Sequence, residues 1–168
     1  KIASEIDMPQ ILYNVPTRTA CDLIPASVDV LAKIPNIVGI KEAVDETKRI
    51  NELIEISKNH ETFSIYSGDD PTFYNSLTLG SSGVISVAAN IIPRSISKIC
   101  ELAFHEDWSN AKDLNYVYKE LYEMLFVQSN PIPVKWMMYK KKLISDIIRL
   151  PLTTLDEKYH EDILSEML

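Results

Sequence analysis

The feature that most constrains the fold is an alternation of short apolar runs with segments of helical periodicity in the first half of the chain. Four runs are rich in β-branched and aromatic residues, have the length of a strand and suit burial on both faces. They cover residues 10–15, 37–41, 63–67 and 83–87. Successive runs begin about 20–27 residues apart, close to the roughly 30 residues of a βαβ unit. The alternation therefore predicts an α/β fold with a parallel sheet and right-handed crossovers.

Beyond residue 90 the apolar spacing is helical throughout. It predicts a helix over 92–104 with Pro93 in its first turn, and a tail helix that Asp156 caps. The tail helix covers 156–168, and further helices are predicted over 108–126 and 134–143. We therefore divide the chain into four βα units, residues 1–90, and a helical region, residues 91–168. Four βα units fit either a small open sheet or half of an eight-stranded barrel, and length alone leaves both open.

The charge and the cysteines narrow the possible partners and compartment. The 168 residues carry a net charge of -7, which argues against nucleic acid and anionic membranes, because both require a basic face. No apolar run reaches the roughly 18 residues of a membrane helix, and the first residues lack the apolar stretch of a secretory signal. Cys21 and Cys100 lie too far apart for a metal or redox motif, so we expect buried or half-buried thiols. These features favour a cytoplasmic protein.

Lys41 is the residue with the clearest chemical potential, because it closes the second apolar run. Active residues of parallel α/β folds gather at the carboxyl ends of strands. An apolar setting lowers the pKa of a lysine, and a neutral amine can attack a ketone to form a Schiff base. The alternative is a lysine that leaves the strand to pair with Asp69 or Glu42. Spacing alone leaves both interpretations open.

Other polar residues follow the same strand ends. Tyr13 is either a proton shuttle or a core tyrosine. Arg18 is either a fork for a substrate carboxylate or a loop charge. Asp69 and Asp70 could attract a cation, but no third ligand stands at a suitable spacing. We therefore predict a turn there and a helix that starts at Asp70–Pro71, with no metal site.

Taken together, the strand ends resemble the dihydrodipicolinate synthase family. The segments that carry the resemblance, in order, are Tyr13–Thr19, Gly39–Ala43, Ser67–Asp70, Gly83–Val87 and Asn130–Lys135. The likeness extends from about Pro9 nearly to the C-terminus. It implies the second half of a TIM (β/α)8 barrel, strands five to eight, followed by a C-terminal helical bundle.

The resemblance also implies a lyase of lysine and diaminopimelate biosynthesis. Lys41 would form an imine with pyruvate, and the derived enamine would attack aspartate semialdehyde to give 4-hydroxy-tetrahydrodipicolinate. Tyr13 would relay protons, and Arg18 would hold the carboxylate of the semialdehyde. Gly68 and Ile85 would line the pyruvate pocket, Ile85 chiefly through its backbone. The family needs no metal or organic cofactor.

Two alternatives remain beside this interpretation. N-acetylneuraminate lyase and the keto-deoxy-sugar-acid aldolases share the lysine and the tyrosine. A half barrel could also be a non-catalytic remnant or interaction module. Because family members are complete barrels, we expect this chain to need the missing N-terminal half as a partner. The family habit further implies a homo-oligomer, a tetramer built from dimers.

Overall fold

The computed structural model describes residues 1–167 and contains a parallel sheet of three strands in sequential order. The strands are β1 (Gln10–Asn14), β2 (Ile37–Glu42) and β3 (Ser64–Ser67), and β2 lies in the middle. Their β-branched and aromatic residues favour an extended chain. The three strands coincide with the first three predicted runs to within one residue, so the parallel α/β interpretation is confirmed for them.

The fourth predicted strand, over residues 83–87, is wrong. This segment forms only an isolated parallel bridge between Ser67 and Val84. The N–H of Ser67 donates to the Gly83 carbonyl, and the N–H of Ile85 donates to the Ser67 carbonyl, both at 2.9 Å. Gly83 has a φ of +146°, which leaves the strand conformation, and a 3₁₀ turn over Ala88–Asn90 soon follows. The extended stretch is therefore too short for a strand.

A compact unit of residues 1–85 forms around this sheet. Its core joins alternate strand residues to the apolar faces of two helices, and Ile40, Leu53 and Ile65 are almost fully buried in it. The spacing of Ile50, Leu53 and Ile54 places all three on the buried face of one helix. The helices of this unit are α1 (Ile2–Glu5), α2 (Pro16–Thr19), α3 (Pro25–Ala32), α4 (Thr47–Lys58) and α5 (Phe73–Thr78).

The predicted helix start at Asp70–Pro71 is wrong. Helix α5 begins at Phe73, with Thr72 at the N-cap position. The three residues before it form a turn, and the hydroxyl of Thr72 donates to Oδ2 of Asp69 at 2.7 Å. That hydrogen bond fixes the turn, so the helix starts only after it.

A second compact unit begins at Ser86 and is helical. Its α-helices are α6 (Pro93–Phe104), α7 (Trp108–Val117), α8 (Lys119–Met124), α9 (Ile132–Lys140) and α10 (His160–Ser165). Pro93 stands in the first turn of α6 as predicted. The face of α6 that carries Ile96, Ile99 and Ala103 is buried. The C-terminal helical bundle expected from the sequence is thus present.

Two helix predictions for this unit need correction. The helix predicted over 108–126 is divided, because Tyr118 adopts φ -105° and ψ 13° between α7 and α8. The tail begins as a 3₁₀ turn, Glu157–Tyr159, before α10, and Asp156 stands at its N-cap position without a side-chain capping hydrogen bond. Residue 168, at the end of the predicted tail helix, lies outside the described residues.

The two cysteines differ in their exposure. Both cysteines are free thiols; Cys100 is half-buried as predicted, whereas Cys21 is exposed in the loop after α2, so that part of the prediction is wrong. Within residues 1–167, no helix combines the length and apolar character that crossing a bilayer requires.

Candidate active site

The parallel register places Tyr13, Lys41 and Tyr66 side by side across the three strands. Tyr13 pairs with Lys41 across β1 and β2, and Lys41 pairs with Tyr66 across β2 and β3. Paired residues of neighbouring strands point to the same face, and this face is opposite to the one that carries Ile40 and Ile65 into the core. The catalytic pair predicted from the sequence therefore lies together, and Lys41 stands between two phenol-bearing residues.

Lys41 lies in an environment that disfavours its ammonium form. Its Nζ lies 4.2 Å from the centroid of the Tyr13 ring, and the side chain is half-buried. Burial lowers the pKa of Lys41; the nearby charge of Asp70 opposes this shift, and that of Arg18 adds to it. A lower pKa increases the fraction of neutral amine near pH 7.

Glu42 and Asp69, the two carboxylates that the sequence offered as partners for Lys41, bind other groups in the structure. Glu42 follows Lys41 on the opposite face of β2, where it accepts hydrogen bonds from Asn14 and from the backbone of Val44. Asp69 accepts the hydroxyl of Thr72. Neither Glu42 nor Asp69 is therefore paired with Lys41, whereas the nearby charge of Asp70 acts on its amine.

Gly68 lies directly against the Lys41 side chain. A Cβ atom at this position would be 3.0 Å from Cε and 3.1 Å from Cγ of Lys41, and 3.2 Å from the carbonyl oxygen of Glu42. The N–H of Gly68 donates to that same carbonyl at 2.7 Å, which holds the two chains close. Glycine thus leaves the space that the lysine side chain occupies.

Arg18 and Ile85 lie at the ends of β1 and β3. Arg18 is exposed on α2, the short helix that follows β1, and its charge reaches Lys41. Ile85 is 41% exposed, and its N–H donates to the carbonyl of Ser67, the last residue of β3. Tyr13 is 51% exposed, so its ring lies outside the buried core of residues 1–85.

The sequence analysis missed Tyr66 and a buried polar network behind Lys41. Tyr66 could have been found from register, since it stands one residue before the end of the third run. The network joins Asn14 and Glu42 to Asp22 and Arg49. Polar residues at buried strand positions were a signal for the first two, whereas nothing in the sequence links Asp22 to Arg49, 27 positions away.

The family model for the Dihydrodipicolinate synthetase family matches residues 1–167. The chain belongs to this family. The 4-hydroxy-tetrahydrodipicolinate synthase of Pseudomonas aeruginosa is 46% identical over 166 residues, which are 99% of this chain and 56% of that protein. The enzyme of the same name from Blochmanniella pennsylvanica is 46% identical over 168 residues, 99% of this chain and 55% of that protein. The chain thus spans about half the length of these relatives.

Solved structures of the family have the same fold. The dihydrodipicolinate synthase of Acinetobacter baumannii, described as chloride inhibited and complexed with pyruvate, superposes with a TM-score of 0.93 at 44% identity, covering 99% of this chain and 56% of that one. The Thermotoga maritima enzyme gives a TM-score of 0.95 at 30% identity, covering 99% and 57%. The prediction of half a TIM barrel with C-terminal helices is confirmed.

Proposed function

We propose that this chain supplies the Schiff-base half of a lyase that condenses pyruvate with aspartate semialdehyde to give 4-hydroxy-tetrahydrodipicolinate. The observation that carries the proposal is the position of Lys41, half-buried near the end of β2 with its Nζ 4.2 Å from the Tyr13 ring. Relatives 44–46% identical bear the name of this synthase, which supports this aldehyde over the sugar-derived substrates of the aldolases.

In the proposed reaction, the neutral amine of Lys41 attacks the ketone carbon of pyruvate. Loss of water gives an imine, and loss of a methyl proton then gives an enamine whose carbon bonds to the aldehyde carbon of the second substrate. The amino group of the semialdehyde then attacks the imine carbon, which closes the ring and releases the amine of Lys41, and the Tyr13 hydroxyl carries protons to and from these intermediates. The imine nitrogen accepts the electron pair, so the proposal requires no metal or organic cofactor.

Three further residues have binding roles in this proposal. Arg18, exposed at the end of β1, forms a fork for the carboxylate of the semialdehyde. Gly68 leaves room for the Lys41 side chain beside pyruvate. The N–H of Ile85 already donates to Ser67, which leaves its carbonyl as the backbone group that can face pyruvate.

The proposal extends to the whole protein. We propose that it acts in the cytoplasm as a homo-oligomer, a tetramer by the habit of the family, and that this half works together with the other half of the barrel. One solved structure of the family is described as that of the first monomeric variant. Sedimentation analysis of the full-length protein is therefore the test of the proposed oligomeric state.

Reduction of the imine tests the proposed chemistry. The chain is incubated with pyruvate, alone and mixed with the N-terminal half of a relative, and then reduced with borohydride and mapped by peptide mass spectrometry. We expect a pyruvate adduct on Lys41, no adduct in Lys41→Arg, and an unchanged adduct in Lys48→Arg, which alters an exposed lysine of α4. The proposal would be contradicted if the folded chain formed no adduct, both alone and together with the N-terminal half.

A further inference from the structure

A buried polar network lies on the opposite face of the sheet from Lys41. Asn14 and Glu42 pair across β1 and β2, and each is only 2% exposed. The Asn14 Nδ2 donates to both carboxylate oxygens of Glu42 at 3.0 Å and to Oδ1 of Asp22 at 2.9 Å. Arg49 forms ion pairs with both acids, and its Nη1 lies 3.5 Å from Oε2 of Glu42.

The donors and acceptors of this network fit in only one arrangement. The N–H of Leu23 donates to Oδ1 of Asn14 at 2.9 Å, so the amide nitrogen must face the two carboxylates. Burial raises the pKa of Glu42, whereas the donors Asn14, Val44 and Arg49 oppose this shift and favour the ionised form. Each group is thus held by several partners, which restricts its rotation.

The network is coupled to the proposed catalytic pair through the backbone. Asn14 directly follows Tyr13, and Glu42 directly follows Lys41, so each network residue is bonded to a catalytic one. The same two residues hold neighbouring chain segments through their carbonyls: Asn14 accepts from the N–H of Ala43 at 3.0 Å, and Glu42 from that of Gly68 at 2.7 Å.

We propose that Asn14 and Glu42, held by Asp22 and Arg49, are positioning residues that fix the Lys41 side chain against the Tyr13 ring. The network does not touch the reacting atoms. It holds the ends of β1 and β2 in the register that sets the separation of the two catalytic side chains. That the separation of Lys41 and Tyr13 serves a reaction rests on the proposed function. The separation itself can be measured without pyruvate.

The measurement is the ring-current shift of the Lys41 ε-methylene protons in the NMR spectrum of the full chain. A ring this close to Nζ moves those protons upfield, and Tyr13→Leu defines the value without the ring. We expect Glu42→Gln and Asn14→Leu to lose at least half of the shift. Ser76→Ala is the matched control, because it removes another buried side-chain hydrogen bond of the same unit, the 2.6 Å contact with Ser81, and we expect it to keep the shift.

Pyruvate trapping then separates this inference from the proposed function. If the wild-type chain forms the adduct, both network variants should form it about 10- to 100-fold more slowly at saturating pyruvate, with an unchanged half-saturating concentration, because misplaced groups react slowly. If the wild type forms no adduct while the variants still lose the ring-current shift, the proposed function fails and the positioning role stands. If Asn14→Leu does not fold, Glu42→Gln decides. A full shift in folded Glu42→Gln overturns the inference.

Discussion

The contrast between Gly68→Ala and Gly39→Ala tests whether the space around Lys41 is a requirement of the site. At Gly39, a Cβ atom would be 2.5 Å from the backbone oxygen of Ser64, so β2 and β3 would have to separate by roughly 0.9 Å to restore ordinary contact. Overpacking of this kind costs about 2–3 kcal/mol of unfolding free energy. At Gly68, the nearest atom is Cε of Lys41 at 3.0 Å, and a flexible side chain can yield.

Gly68→Ala is therefore expected to change the chemistry more than the stability. Lys41 must move by roughly 0.4 Å or more, and the Glu42 oxygen at 3.2 Å limits the directions open to the new methyl group. We expect pyruvate trapping to slow about tenfold, since misplacement on this scale is costly to a reacting group. The unfolding free energy should stay within about 1 kcal/mol, because alanine also restricts the unfolded chain.

The assays are urea denaturation for stability and the borohydride time course for trapping, both at one pH. Gly39→Ala serves as the comparison for stability, and it should lose the larger amount of unfolding free energy. The reasoning would be refuted if Gly68→Ala trapped pyruvate at the wild-type rate, or if it lost as much unfolding free energy as Gly39→Ala.

Three more predictions follow from burial and charge. Burial lowers the pKa of Lys41, so the unfolded chain binds more protons at this residue than the folded chain does. Lys41→Met should therefore stabilise the fold near pH 7. This gain in stability, measured by thermal unfolding, should shrink as the pH rises towards 10.5. Arg49→Met should cost about 3 kcal/mol in urea denaturation, because it leaves the fully buried Glu42 carboxylate without its cation; Lys33→Met, which breaks an exposed pair, should cost less than about 1 kcal/mol. Leu53→Ala, at a site with 0% exposure, should cost about 3 kcal/mol by the same assay, and a loss below 1 kcal/mol would contradict the described core.

The sequence predicted those parts of the fold that depend on local periodicity. Strands β1 to β3 and helices α3, α4 and α6 have apolar positions at regular spacing, so their existence followed from pattern alone. The strand predicted near Val84 is absent because the φ angle of Gly83 takes the chain out of the extended conformation, and periodicity does not predict a single backbone angle. The division of the long helix at Tyr118 involves a tertiary contact, its hydroxyl to that of Ser95 at 2.7 Å, which no local pattern encodes.

The site was predictable to the extent that it follows strand ends. Lys41 closes its apolar run and Tyr13 lies near the end of another, and a parallel sheet brings such residues together. The buried network was missed because its stability depends on pairs distant in sequence, such as Asp22 with Arg49. An ionisable residue in a helix has many possible partners, and only the fold selects among them.

The row formed by Tyr13, Lys41 and Tyr66 has a consequence for redesign. Each of the three strands contributes one member. The backbone of β2 is hydrogen-bonded to those of β1 and β3, and this pairing does not depend on the three side chains. A substitution at Tyr66 therefore changes the wall beside the amine while the strand that carries the amine keeps its pairing. Because each member stands on a strand of its own, the side chain next to Lys41 can be replaced without a change in the sequence of the strand that carries the amine.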